Sequence, residues 1–381
     1  MSVGAEPAGV GRVKGPPGDG PRLSVPAAWK RRVVEALTGA SLWTRVVAVV
    51  LALIVAAPLI LAAGSNPIEA YSAMVEGAFG SDQAIADVLN RADTFILLGL
   101  GIAISIPSGF FNVGAEGQLW LGALGASVVA LYWSGPEPLV LIAALLVGFV
   151  FGALWSGLVA LLKLSLGVDE LISSLMLNYV AILLIGYLTF GPMKAYRAGQ
   201  TERIEAELPL IFGDRLHAGI LLSLVAVIVI WLLVARTRLG YEMRTLGSNP
   251  DAARYAGISA PSVIGRVSLL SGGLCGLAGA NAILGAQHVL LSDFSPGWGY
   301  TAIAVALLGG LTAFGVLLAA VLFGALEIGA TNMQFTAGVP ASLSSLIEGL
   351  ILVFFLLAIP LSLSAPRRWL RRRLRPRRAE G

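Results

Sequence analysis

Phe110-Phe111-Asn112-Val113-Gly114-Ala115-Glu116-Gly117-Gln118 places an amide, a carboxylate, a second amide and two glycines between long apolar runs. Phe95 to Ile106 precedes it and Leu119 to Tyr132 follows. Polar and ionisable groups near bilayer depth are costly, so they serve a pathway, a pocket or a structural hydrogen-bond network. The glycines predict a broken helix. Irregular backbone at that depth persists only when buried in protein or facing a water-filled cavity. The stretch therefore points to a transporter-like membrane protein rather than an anchor.

The rest of the chain agrees. Of 381 residues, 57% are hydrophobic and 13% charged, and the mean hydropathy is +0.84. A soluble domain carries about a quarter charged residues, so most of this chain belongs in lipid or against other membrane helices. One polytopic, all-α domain is expected. The single Cys275 excludes an internal disulfide and a cysteine-based metal site, and His217 and His288 are too few for a histidine-rich one. The net charge of +4 comes from clusters that track membrane topology, not from a nucleic-acid face. Gly148 with Gly152, and Gly272 with Gly276, have the small-xxx-small spacing of close helix packing.

A spanning helix needs about 20 mostly apolar residues. Clear candidates are 46–63, 139–162, 171–190, 218–235, 262–286 and 341–363, and less clean ones are 93–109, 115–133, 298–311 and 314–331, ten in all. Residues 1–44 form a Pro-Gly-rich N-terminal segment expected to be partly disordered and not a secretory signal. The transmembrane domain covers 45–363 and an Arg-rich tail covers 364–381. Basic residues before the first span and after the last place both termini in the cytoplasm, which requires an even number of spans. Arg236, Arg238, Arg244 and Arg254 put the loop 236–261 inside as well. The acid-bearing loops 64–92 and 191–216 then fall outside.

Four motifs carry the chemistry. For Asn112, Glu116 and Gln118 two readings stand together: they satisfy the backbone of a broken helix, or they line a polar path for a hydroxylated or amide-bearing solute. Asp169 and Glu170 start a helix where negative charge complements the dipole. Asn178, about two turns further on, bonds a neighbouring helix or faces the path. In the cytoplasmic loop, Ser248 or Asn249 can cap a short helix from Pro250 to Ala256, with Asp251 in its first turn and Gly257 ending it. Arg254 and Tyr255 on its exposed faces suit either a solvated helix or a docking element. The fourth motif runs from Ser295 to Gly315, where glycines again interrupt an apolar stretch. Two such interruptions, one in each half, mark a central path, and a weak repeat of about 45–190 on 217–363 is expected with them. Glu327 and Glu348 are further acids inside apolar spans. There is no P-loop and no Gly-x-Ser-x-Gly elbow, so neither covalent chemistry nor nucleotide hydrolysis is expected of this chain, and no cofactor.

Phe111 to Gln118, Met176-Leu177-Asn178-Tyr179, Gly247 to Ile258 and Ala302 to Gly309 together resemble the permease family of bacterial ABC importers for nucleosides and simple sugars. The nearest branch is the nucleoside and guanosine permeases that work with a basic-membrane-protein-type lipoprotein. The likeness covers about 45–363. Gly310-Leu311-Thr312-Ala313 departs from the family's usual Arg-Leu-Asn-Pro, and Ile106-Pro107-Ser108 is also unusual. The resemblance implies a cytoplasmic ABC ATPase, a second related permease or a second copy of this chain, and an extracytoplasmic substrate-binding lipoprotein. The residues themselves mark Asn112, Glu116, Gln118 and Asn178 as the candidate substrate path. The resemblance implies an ATPase-coupling element made of Asn249, Pro250, Asp251, Ala252, Ala253, Arg254, Tyr255 and Gly257. The alternative from another class is a proton-coupled secondary transporter using Glu116, Glu327 or Glu348.

Overall fold

In hydrocarbon every backbone polar group must be satisfied within the protein, so apolar runs of this length coil into helices. The computed structural model describes residues 42–340 continuously and scattered helical residues from 342 to 357. The helices are α1 (Leu42–Ala62), α2 (Pro67–Phe79), α3 (Asp82–Ser105), α4 (Ala115–Tyr132), α5 (Glu137–Leu166), α6 (Glu170–Phe190), α7 (Gly219–Arg236), α8 (Arg238–Ser248), α9 (Pro250–Tyr255), α10 (Ala260–Ala282), α11 (Trp298–Leu308) and α12 (Ala313–Ala337). The departure from an all-α chain among the described residues is a small antiparallel hairpin, β1 (Leu210–Phe212) with β2 (Leu216–His217).

The expected ten spans resolve differently. Among the described residues six helices are long and apolar enough to cross a membrane, α3, α5, α6, α7, α10 and α12, or seven if the bent pair α1 and α2 counts as one span. That pair turns by 119° at Asn66 and Pro67. The candidate 115–133 is α4, whose apolar character is diluted by Glu116 and Gln118. Every residue of α4 from Ala115 to Ser127 is buried, so its neighbours, not lipid, surround it. The candidate 298–311 shrinks to α11, whose 11 residues rise about 16 Å, half of a bilayer core. Most of 341–363, Glu348, residues 1–41 and the Arg-rich tail lie outside the described residues.

The bundle closes where α4, α5 and α10 meet. A Cβ placed on Gly152 would strike the Gly272 carbonyl and the Gly276 backbone, and one on Gly276 would strike the Gly148 carbonyl. Gly122 of α4 meets Gly276 in the same way. The two glycine pairs singled out in the sequence therefore face each other, and the helix backbones touch without side chains between them. On the other side α12 runs along α3 and α2, so helices of the second half are interleaved with those of the first. Gly276→Ala pushes a methyl into backbone that cannot rotate away, and we expect it to cost about 1–3 kcal/mol. Gly186→Ala on α6, where nothing lies within 4 Å, should leave the thermal unfolding midpoint of the detergent-purified protein unchanged. Equal midpoints for the two variants would refute this packing.

Candidate functional site

Both glycine-broken segments are present. In the first, α3 passes into a 3-10 turn, Ile106–Ser108, then Gly109 in a left-handed conformation (φ 82°), and the helix does not resume until Ala115. In the second, α11 ends at Leu308, Gly310 and Leu311 take positive φ (66° and 55°), and Thr312 caps α12.

The four path residues expected from sequence, Asn112, Glu116, Gln118 and Asn178, come together at the first break. Each is 0–1% exposed. Asn112 Nδ2 donates to Gln118 Oε1 and to Ser271 Oγ of α10, both at 2.8 Å. Gln118 Nε2 donates back to Asn112 Oδ1 at 2.8 Å, and Gly114 N–H donates to the same oxygen at 3.0 Å. Ser271 Oγ in turn donates to the Gly101 carbonyl of α3 at 2.6 Å. Asn178, from α6, accepts from Gly117 N–H at 2.9 Å and donates to the Val113 carbonyl at 3.0 Å and to Tyr300 Oη at 3.1 Å. Glu116 accepts from Trp120 Nε1 at 2.9 Å and, across the molecule, from Gly299 N–H in the first turn of α11 at 2.6 Å. These side chains are turned on one another and on loose backbone. They form a clamp that ties α3, α4, α6, α10 and α11 together.

The open space lies just beyond it. A cavity of about 550 Å³ is walled by α11, α12 and residues 345 and 349, with Trp298, Tyr300, Thr301, Phe323, Glu327 and Gln334 among its lining. None of the four clamp residues lines it, but two clamp bonds end on α11, at Gly299 and Tyr300. Glu327 accepts from Trp298 Nε1 at 3.0 Å and pairs with Arg91 of α3 at 3.3 Å. The Arg91 guanidinium lies 3.9 Å from the centre of the Trp298 ring, and Phe294 packs edge-on between Trp298 and Trp120.

The loop 236–261 holds more structure than expected. Asn249 is the cap of α9: its Oδ1 accepts from the N–H groups of Asp251 and Ala252, both at 3.1 Å. Ser248 instead ends the preceding helix, donating to the Thr245 carbonyl. Pro250 opens α9, Ala253 is fully buried, Tyr255 is 94% exposed, and Gly257 follows with φ 75°. Arg254 is exposed.

Sequence reasoning missed α8, capped by Thr237 and buried along Gly240, Glu242, Met243 and Leu246. The helical spacing of Leu239, Met243 and Leu246 was a signal that could have found it. Glu242 joins Arg238 and Arg266 of α10 at 2.8 Å each. Burial pushes its carboxyl up, but these two arginines more than offset that and hold it below its ordinary value of 4.5. Also missed was Asp93, a buried acid of α3 bonded by the Asn281 amide of α10.

Residues 84–356 match the family described as "Branched-chain amino acid transport system / permease component". The glucose ABC transporter permease protein of Haloferax volcanii is 37% identical over 328 residues, 82% of this chain and 86% of that protein. The guanosine ABC transporter permease protein of Bacillus subtilis is 35% identical over 81% of this chain and 91% of its own length. The nucleoside ABC transporter permease protein of Lactococcus lactis is 29% identical over 84% and 92%. No solved structure matches.

Asn178→Leu strips partners from Gly117 N–H, the Val113 carbonyl and Tyr300 at once. We expect it to cost about 1–3 kcal/mol, read as a lowered unfolding midpoint, while Tyr300→Phe, which removes one bond, costs less. The reverse order would dismantle the clamp as described. The match over most of the chain, on a bundle of apolar helices broken at two glycine segments, makes this protein a multi-pass membrane member of that family of transport-system permease components.

Proposed function

We propose that this chain is the membrane-spanning permease subunit of an ABC importer that carries a nucleoside, or a related simple sugar, into the cell at the expense of ATP hydrolysed by a separate cytoplasmic ATPase. The observation that carries the reading is the capped helix α9, a projecting knob bearing Arg254 and Tyr255, joined by α8 to the first broken segment. α8 is fastened to α10 through Glu242 and Arg266, and Gly247 lies so close on the Pro107 carbonyl that any side chain there would collide with it. A push on α9 therefore has a short rigid route to the turn that leads into the clamp. The residues from Asn249 to Tyr255, with Gly257, are the coupling element in this reading.

A second related permease, or another copy of this chain, would complete the pore, and an extracytoplasmic binding lipoprotein would deliver the solute. Both termini and α9 face the cytoplasm. The cavity between α11 and α12 is the solute's place in the membrane, and the four clamp residues hold the path's wall in position. Relatives named for guanosine, nucleoside and glucose transport support this class of solute. Proton carriage by Glu116 or Glu327 finds less support, because each carboxylate is tied by donors or a cation.

Arg254→Glu should cut ATP-driven uptake about tenfold or more while the membrane subunits still assemble with the ATPase. Unchanged uptake removes α9 from the mechanism. Glu242→Gln should raise the ATP hydrolysed per solute imported. Because the carboxyl of Glu242 sits below 4.5, the Arg266 contact contributes fully above that pH and fades only as pH falls through the lowered value. Coupling that weakens between pH 8 and 6 would not come from this pair. The single Cys275 is buried, so introduced cysteines report cleanly. Tyr255→Cys should react with an impermeant maleimide only in inverted vesicles, and Tyr196→Cys, at a side chain 99% exposed, only in intact cells. The opposite pattern would overturn the orientation.

A further inference from the structure

The wall of the α11–α12 cavity has a feature that general transport does not require. Among the described lining residues Glu327 is the one that carries a formal charge; the rest are aromatic, hydroxyl-bearing, amide or small. Both of its protein contacts, from Trp298 Nε1 and from Arg91 Nε, fall on Oε1. The side chain is 24% exposed, anchored at Oε1, and among the described residues nothing bonds Oε2. Arg91 reaches it from the far side, stacked on Trp298, and Arg91 is not among the lining residues. The solute therefore meets the carboxylate and not the cation. Tyr300, 38% exposed, offers an aromatic surface on the same wall, and Thr301, Thr331 and Gln334 add neutral hydrogen-bonding groups.

A fixed acceptor beside an aromatic ring, in a space of about 550 Å³, fits a solute with a flat ring and paired hydroxyl donors. It does not fit one that brings negative charge. A carboxylate accepts two adjacent O–H groups well, and charge-assisted bonds of this kind are the strong ones. A phosphate placed there would face the like charge of the carboxylate, with Arg91 on the far side of it.

Resting on the importer reading above, we infer that Glu327 is a specificity-determining residue of the permease itself: its free oxygen takes the vicinal ribose hydroxyls of a neutral nucleoside and turns away phosphorylated forms. Selection is thus repeated inside the membrane after delivery.

The test is direct binding to the purified permease and ATPase complex without the binding protein, whose own selection is thereby removed. The probes are guanosine, 2′,3′-dideoxyguanosine and guanosine 5′-monophosphate. In the unaltered complex guanosine should bind about tenfold more tightly than the dideoxy probe, and the monophosphate should bind more weakly than either. Glu327→Gln should weaken guanosine by about that factor, leave the dideoxy probe unchanged and narrow the gap to the monophosphate. Equal weakening of guanosine and the dideoxy probe assigns Glu327 to structure alone and overturns the inference. So does a monophosphate that binds the unaltered complex as well as guanosine. The three-probe comparison in the unaltered complex decides the matter even if the variant does not fold. A complex that imports sugars but no nucleoside overturns the nucleoside reading instead.

Discussion

A peptide group that leaves a helix inside the bilayer must find a partner there, at a cost of several kcal/mol if it does not. Between Gly109 and Gly114 the chain gives up helical bonding for about a turn and a half, with Phe110, Asn112 and Gly114 buried among other helices. What makes this tolerable is a short set of amides that replace the missing bonds, Asn112 for Gly114 N–H and Asn178 for the Val113 carbonyl and Gly117 N–H, while Ser271 ties Asn112 to the Gly101 carbonyl of α3. Each replacement comes from a different part of the chain, so satisfying the break also fixes where α6 and α10 stand relative to it.

Such bonds work only if the helices that supply them come close, and glycine is what brings them there. At Gly122, Gly152 and Gly276 the backbones of α4, α5 and α10 are in contact. With no side chain to separate them, Ser271, one residue before Gly272, is held within reach of both Asn112 and Gly101. The polar clamp and the apolar glycine contact are therefore one construction. The first supplies directional bonds and the second supplies the distance. Neither is legible from hydrophobic periodicity, because α4 is buried on all sides along its first thirteen residues and has no lipid-facing stripe to reveal it.

Much of the arrangement was nonetheless written in local chemistry. The two breaks follow from Gly109, Gly114 and Gly309-Gly310 within apolar runs, and α9 follows from Asn249, Pro250 and Gly257, which act through neighbours two to eight residues away. The glycine pairs of α5 and α10 showed their spacing but not that each is the other's partner. What sequence could not supply was direction over long separations. Asn112, Glu116, Gln118 and Asn178 come close in space, yet whether they face a solute or each other depends on Ser271, Gly299 and Tyr300, each more than a hundred residues from the side chain it bonds. Arg91 and Glu327 are separated in the same way, and neither alone marks a cavity wall. Ten spans are not reached among the described residues: α11 is too short to cross by itself, and α4, enclosed by its neighbours, is less apolar than the six long helices.

The order of these contacts gives the fold its mechanical sense. The first break is held at one end by Gly247 against Pro107, and its other end is held to α11 by Glu116 on Gly299. α11 carries Trp298 and Tyr300 into the cavity. A helix continuous from α3 through α4 would transmit a push along its own axis and leave α11 untouched. A broken one can hinge at Gly109, and its far end is bonded to α11, a helix too short to cross. The irregular segments are thus where the fewest helical bonds resist a change of shape, and the polar groups that satisfy the first break also bond it to α11, the helix that leads into the second.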